Sequence, residues 1–173
     1  VFARMDGAKK FRGWDLWQQG GQFGTHIVEG WPDNAIKVVT EKNVLKSTQW
    51  NHIFVTYDGS GKAEGIRLYY NGAEQAKKIE TNNLKSNADI SAETSLQIGQ
   101  RSNGAYFEDG FLQDMRIYSR ALSGGEIMAL ADSGPLRAIL ATSHQERSLE
   151  QNKVLFENFL HTRDKQFATL NDT

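Results

Sequence analysis

The sequence contains no cysteine and only 2 prolines among its 173 residues. Without a thiol, disulfides, thiolate zinc sites, iron–sulfur clusters and a cysteine nucleophile are all excluded. The compartment stays open, because exported proteins also exist without disulfides. No apolar run approaches the roughly 20 residues that a membrane-crossing helix needs, so insertion into a bilayer is not expected. Neither sign of charge dominates, since 20 basic and 21 acidic side chains leave a net charge of −1. The two signs are interleaved along the chain, which leaves no basic face to release counterions, and nucleic acid is not an expected partner. The opening residues Val1-Phe2-Ala3-Arg4 show no initiator Met and no signal-peptide pattern, and read as the start of an excised piece.

What is present is strand-like from residue 1 to about 118. Gly13 to Gln19 and Gln22 to Val28 are aromatic and β-branched runs on either side of Gly20-Gly21. That arrangement predicts a hairpin, because a primed two-residue turn needs the positive φ that glycine supplies without strain. Ile36 to Thr40 is a third strand. Trp50 to Tyr57 is apolar or aromatic on both alternating faces, which predicts a central strand covered on both sides. Gly65 to Tyr70 places Ile66, Leu68 and Tyr70 on one face and Arg67 and Tyr69 on the other, then ends in Asn71-Gly72, a second hairpin signal. Ser95 to Gly99 and Phe111 to Tyr118 complete the set. Many short strands divided by turn signals imply a sandwich or a barrel.

The pattern changes after Tyr118. Ser123-Gly124-Gly125-Glu126 has capping-box spacing ahead of Ile127, Met128 and Leu130, and Gly134-Pro135 ends that helix. Residues 136–173 read as helical, with Leu136, Ile139 and Leu140 in one piece and a second piece capped by Ser148 and Gln151. In the second piece Leu149, Phe156, Phe159 and Leu160 recur at helical spacing, with Leu155 beside them and Phe167 and Leu170 extending the stripe. A stripe of this kind packs on the sandwich or on a neighbouring domain, with a dedicated partner-binding helix as the alternative. The expected organisation is a β domain over 1–134 and a helical extension over 135–173.

Gln49 to Gly59, then Leu68-Tyr69-Tyr70-Asn71-Gly72, Leu96-Gln97-Ile98-Gly99, Gly110 to Tyr118 and Arg120 to Ile127 together carry a resemblance. In that order they resemble the laminin G-like, concanavalin A-like jelly-roll family. Gly13 to Trp17, His26-Ile27 and Trp31 to Val38 are similar to a narrower version found in large exported bacterial proteins that also carry cytochrome c-like segments. The resemblance implies an all-β, antiparallel two-sheet jelly roll with a C-terminal helical extension, located in the periplasm or outside the cell. It also implies binding of carbohydrate or of neighbouring protein domains, and strands upstream of Val1 that complete the sandwich. Some relatives hydrolyse or cleave glycans, and fold alone does not choose between these roles.

Catalysis can be weighed from the residues. Glycoside hydrolysis needs two carboxylates at a defined separation, and relatives place them on one strand face as Glu-x-Asp-x-x-Glu. No Glu-x-Asp occurs here, and the adjacent Glu108 and Asp109 point to opposite faces of a strand. Gly-x-Ser-x-Gly, His-Glu-x-x-His and phosphate-cradling glycine loops are also missing from the sequence. A non-catalytic module is expected.

For a glycan ligand the informative residues are flat aromatics. Trp14 shares a strand face with Leu16, and Trp17 shares the other with Asp15, so at most one of the two tryptophans meets a ligand. Trp31 stands in a turn-rich loop beside Asp33 and Asn34, which adds hydrogen-bonding groups to a stacking plate. Trp17, Trp31, Asp33 and Asn34 are therefore the candidate ligand residues. Trp50 and His52 share a face and read as core. Asp58 to Glu64 has alternating oxygen ligands but too few carboxylates for a calcium loop, and reads as a plain hairpin connection. Lectin-like relatives often hold a structural calcium near the last strand, which makes Asp114 the candidate metal ligand. Its neighbour is Gln113 rather than a second carboxylate, and pairing with Arg116 is the competing role.

Overall fold

The computed structural model describes residues 1–101, 106–131 and 139–163. The chain divides into two compact units, Val1–Tyr70 with Glu74–Ala121, and Asn71–Ala73 with the chain from Leu122 onward. The boundary near residue 134, the Gly134-Pro135 stop, and Phe167 and Leu170 lie outside the described residues.

The first unit is an antiparallel two-sheet sandwich. Its larger sheet contains β1 (Phe2–Asp6), β2 (Arg12–Gln19), β3 (Gln22–Gly30), β4 (Asn34–Thr40), β8 (Lys77–Asn82) and β9 (Gln97–Ile98) in the order β8-β4-β3-β2-β1-β9. The smaller sheet is β5 (Ile53–Tyr57), β6 (Ile66–Tyr70) and β7 (Ala73–Gln75). Both expected hairpins form for the expected reason. Gly20 and Gly21 take φ of 58° and 84°, and Asn71 and Gly72 take 48° and 82°. Two successive residues at positive φ give the primed turn whose twist matches that of the flanking strands.

The alternation of side chains decides what each face of the large sheet does. Leu16, Phe23, Ile27, Ile36 and Val38 face the small sheet and form one core with Ala63, Ile66 and Leu68. The alternate residues face away, where Ala3, Met5, Val28 and Ala35 form a second apolar cluster against Trp31. The large sheet is thus buried on both faces, which explains why its strands read as nearly continuous apolar runs.

Three strand expectations are corrected. The segment Trp50 to Tyr57 is not a central strand: β5 begins at Ile53 and, among the described residues, pairs only with β6. The cause lies just upstream, where the Asn51 side chain accepts from Lys46 N–H and donates to the carbonyls of Lys46 and Gln49. These local bonds hold the backbone in a loop in place of a ladder, and they leave Trp50 64% exposed rather than in the core. Phe111 to Tyr118 forms no strand either. Asp114 takes φ 57°, which breaks the pleat, and its carboxylate grips Arg116 at 2.8 and 3.0 Å. Phe111 is left 84% exposed, while Tyr118 meets Phe54 with ring centroids 5.8 Å apart. Ser95 to Gly99 shortens to the two residues of β9.

His52 stacks on Phe54, and burial pushes its imidazole below the ordinary pKa of 6.5, opposed by the Asp114 carboxylate and reinforced by Arg116. A lowered folded-state pKa means that the unfolded chain takes up the proton first as pH falls through 6.5. Stability present at neutral pH is therefore lost on acidification, until the folded imidazole protonates too. His52→Gln is expected to reduce the fall in melting temperature between about pH 7 and pH 5 relative to the wild type. An equal fall in the two proteins would remove His52 as its source.

The connection between β5 and β6 is the plain loop expected. Asp58 accepts from Ser60 N–H, a short 3-10 turn spans Ala63–Gly65, and the Asn82 amide donates to the Glu64 carboxylate. Lys77 reaches from β8 to donate to the carbonyls of Ala63 and Glu64 at 2.8 and 2.9 Å and to that of Ile66. An ammonium group thus gathers the backbone oxygens at this corner.

In the second unit the capping boxes form as read. Ser123 N–H donates to the Glu126 carboxylate at 2.8 Å while Glu126 N–H donates to Ser123 Oγ, starting α1 (Gly124–Ala131). Ser148 and Gln151 do the same for α2 (Leu149–Arg163). Ile127 is fully buried, but Leu149, Phe156 and Phe159 of the apolar stripe are exposed.

Candidate functional site

The outward face of the large sheet carries an unusual set of polar groups among its apolar ones. Asp15 is 2% exposed and His26 7% exposed, at the centre of the sheet on β2 and β3. The hairpin register places them directly opposite each other. A lone carboxylate at this depth would be strongly unfavourable. Asp15 instead accepts from His26 N–H at 2.8 Å and from the imidazole Nδ1 at 2.9 and 3.1 Å. Arg101 Nη1 adds an ion pair at 3.6 Å. Because a carboxylate only accepts, the Nδ1 contact puts the imidazole proton on Nδ1, and Nε2 is the nitrogen left for other partners.

Aromatic rings enclose this pair. Trp17 lies 5.7 Å from the His26 ring, and Trp31 meets the same imidazole edge-on at 5.4 Å. Trp17 fits because Gly24 stands opposite it in the register. A Cβ on Gly24 would come within 3.0 Å of the Trp17 ring and 2.1 Å of the Val38 carbonyl oxygen. Lys37 Nζ sits 5.3 Å from the Trp17 ring centroid and pairs with Glu80 at 2.7 Å. That pairing, with Lys78 as a second partner, holds the Glu80 carboxyl below its usual range. Phe11 closes another side, 5.5 Å from the Arg101 guanidinium.

Of these, the side chains of Asp15, His26, Trp17, Trp31, Lys37, Phe11 and Arg101 line a cavity of about 460 Å³, within the size range of small-ligand sites. Two buried donors on its lining side chains, Trp17 Nε1 and Arg101 Nε, have no hydrogen-bond acceptor among the described residues.

The cavity brings together Trp17 and Trp31. It does not include Asp33 or Asn34. Asp33 is exposed in the turn, and the Asn34 side chain donates to Glu29 and accepts from Lys85 N–H at 2.8 Å, which ties the turn to the 85–89 segment. Asp114, the candidate calcium ligand, pairs with Arg116, and among the described residues no three His, Asp or Glu side chains converge as a metal-holding group. Asp15, His26, Lys37 and Arg101 were not singled out from the sequence. The Gly20-Gly21 turn does carry the signal for the first two, because a two-residue loop fixes the register that sets Asp15 against His26.

No curated protein matches the chain. Among solved structures, the chain is similar to residues 221–444 of an S-layer domain-containing protein from Clostridium thermocellum ATCC 27405, at 22% identity and a TM-score of 0.39. The match covers 76% of this chain and 62% of that one, so the chain spans less than two thirds of its length. A laminin G family model, described as the concanavalin A-like lectin/glucanases superfamily, matches residues 1–128. With most of its length inside that match and an antiparallel two-sheet sandwich as its first unit, the chain belongs to the concanavalin A-like lectin/glucanases superfamily.

Proposed function

We propose that this domain is a non-catalytic recognition module that binds a glycan in the cavity on the outward face of its large sheet. It acts as part of a larger exported protein, with cytochrome c-like neighbours as the resemblance implies. The observation that carries the reading is that Trp17 and Trp31 both lie against the His26 imidazole, at 5.7 and 5.4 Å, on the lining of one cavity that also holds polar side chains. Flat rings stack on the apolar face of a sugar, and fixed polar groups select its hydroxyls. The absence of catalysis is supported by the cavity's acidic complement. Among the described residues Asp15 is the carboxylate that lines it, and it is already engaged by His26 and Arg101, whereas glycoside hydrolysis needs two carboxylates about 5–9.5 Å apart.

A glycan-array screen, run with calcium and again with chelator, tests this. Trp17→Ala is expected to weaken retention of the bound glycan class by about tenfold, the equivalent of one stacking contact, while the melting temperature stays close to that of the wild type. A blank array in both conditions would sink the glycan reading. The structural alternative is docking of a neighbouring domain, and the exposed Leu149, Phe156 and Phe159 of α2 favour it. It predicts that the array is blank and that adding the flanking domains raises the melting temperature.

A further inference from the structure

The glycan reading leaves open what the cavity selects, and the His26 imidazole on its lining supplies a selective group. The His26 side chain is 9% exposed. Both Asp15 oxygens lie within reach of Nδ1, at 2.9 and 3.1 Å, which holds the ring proton on Nδ1 and leaves the Nε2 lone pair as an acceptor. Nε2 has no partner among the described residues, and unlike Trp17 Nε1 and Arg101 Nε it is not closed off from solvent. Because His26 lines the cavity, that opening is into the cavity. Ring contacts with Trp17 and Trp31, at interplanar angles of 38° and 82°, orient the imidazole plane and with it the lone pair.

The neighbouring charges decide in which state the site takes a ligand. Asp15 faces the ring from β2 and favours a proton on it. Lys37 stands opposite His26 in the register of β4, answered by Glu80 of β8 at 2.7 Å. Arg101 shares the Asp15 carboxylate from beyond β9, and the Val1 amino group lies within electrostatic range of both. These cations oppose a charged ring. A neutral imidazole takes a proton donor at Nε2, which a hydroxyl provides and a carboxylate does not. A ligand seated over Nε2 also strips its water, and desolvation penalises the charged form of the ring.

Building on the glycan reading, we infer that His26 is a specificity-determining acceptor, taking a sugar hydroxyl at Nε2 in the tautomer that Asp15 imposes, so that acid releases the ligand. Two measurements test this. The first is calorimetric titration with cellohexaose, xylohexaose, mannohexaose and laminarihexaose from about pH 8 to about pH 5, wherever circular dichroism shows the chain folded. The second is ¹⁵N NMR of the histidine ring nitrogens, with the His26 signals assigned by their loss in His26→Asn.

At least one oligosaccharide is expected to bind tenfold or more tightly at the upper pH, with the loss following protonation of His26 Nε2. By reciprocity, saturating oligosaccharide moves that protonation to lower pH. His26→Asn keeps an N–H donor for Asp15 but lacks Nε2, and is expected to lose at least tenfold in affinity at about pH 8. The Val1 amine, which burial holds below its ordinary 8.0, is the competing titration. A loss that does not track Nε2, affinity that is equal or higher in acid, a proton on Nε2 at the upper pH, or wild-type affinity in His26→Asn each overturns the inference and leaves glycan binding standing. Failure of all four oligosaccharides overturns it too, and a blank array besides overturns the reading on which it rests.

Discussion

Gly13→Ala is expected to abolish cooperative folding. Gly13 sits in β2 with φ 131°, a region that side-chain-bearing residues rarely adopt. The added Cβ would lie 1.9 Å from the Arg4 carbonyl oxygen, 2.9 Å from its carbon and 3.0 Å from Met5 Cα. All three are backbone atoms of the paired strand β1, where Gly13 stands opposite Met5, so no rotamer change relieves the overlap. Either β1 leaves the sheet, carrying Ala3 and Met5 out of the second apolar cluster, or β2 twists away from β3. Backbone strain alone costs about 1–3 kcal/mol. With a strand displaced, the total passes the roughly 4–5 kcal/mol that marks an exceptional substitution, against a typical stability of about 5–15 kcal/mol. Urea titration followed by circular dichroism should show no sharp transition. A midpoint near that of the wild type would mean that β1 does not pair as described.

Asp15→Ala is expected to cost about 3–5 kcal/mol, the range for removing one partner of a buried charged pair. The loss comes from what remains behind. His26 N–H and Nδ1–H lose their acceptor in the middle of the sheet, and Arg101 loses its counter-charge. Asp15→Asn separates two parts of this cost, because the amide oxygen still accepts from His26 N–H while the charge is gone. It should fall between the wild type and Asp15→Ala in unfolding midpoint. If both variants unfold at the wild-type midpoint, the Asp15–His26–Arg101 arrangement does not contribute to stability.

The sequence is most readable where local chemistry decides the outcome. Gly20-Gly21 and Asn71-Gly72 set two hairpins, and Ser123 with Glu126 sets a helix start, because each feature acts within a few residues of itself. It also shows Asp15 and Trp17 sharing a face. What it does not show is which residues distant in sequence complete that face. Arg101 comes from beyond β9, and nothing in its neighbourhood of the sequence marks it as the partner of Asp15. The reading of Trp50 to Tyr57 errs for a related reason: apolar residues on both faces suggest a covered strand, but the hydrogen bonds of Asn51 to Lys46 and Gln49 hold the approach to it as a loop. Phe111 to Tyr118 alternates like a strand and has no ladder, since Asp114 at φ 57° turns the chain out of the pleat. Asn34 has the chemistry of a sugar ligand and is instead engaged in tying Glu29 to Lys85.

The reach of Lys77 from β8 to the turn before β6 joins one sheet to the other through a charge that the chain itself supplies. A divalent ion gathering those carbonyls would make that corner dependent on ion concentration and vulnerable to chelators. A lysine is present from the moment of synthesis and at fixed stoichiometry. The contact at this corner is made without a divalent ion, and its strength follows the protonation of one amine.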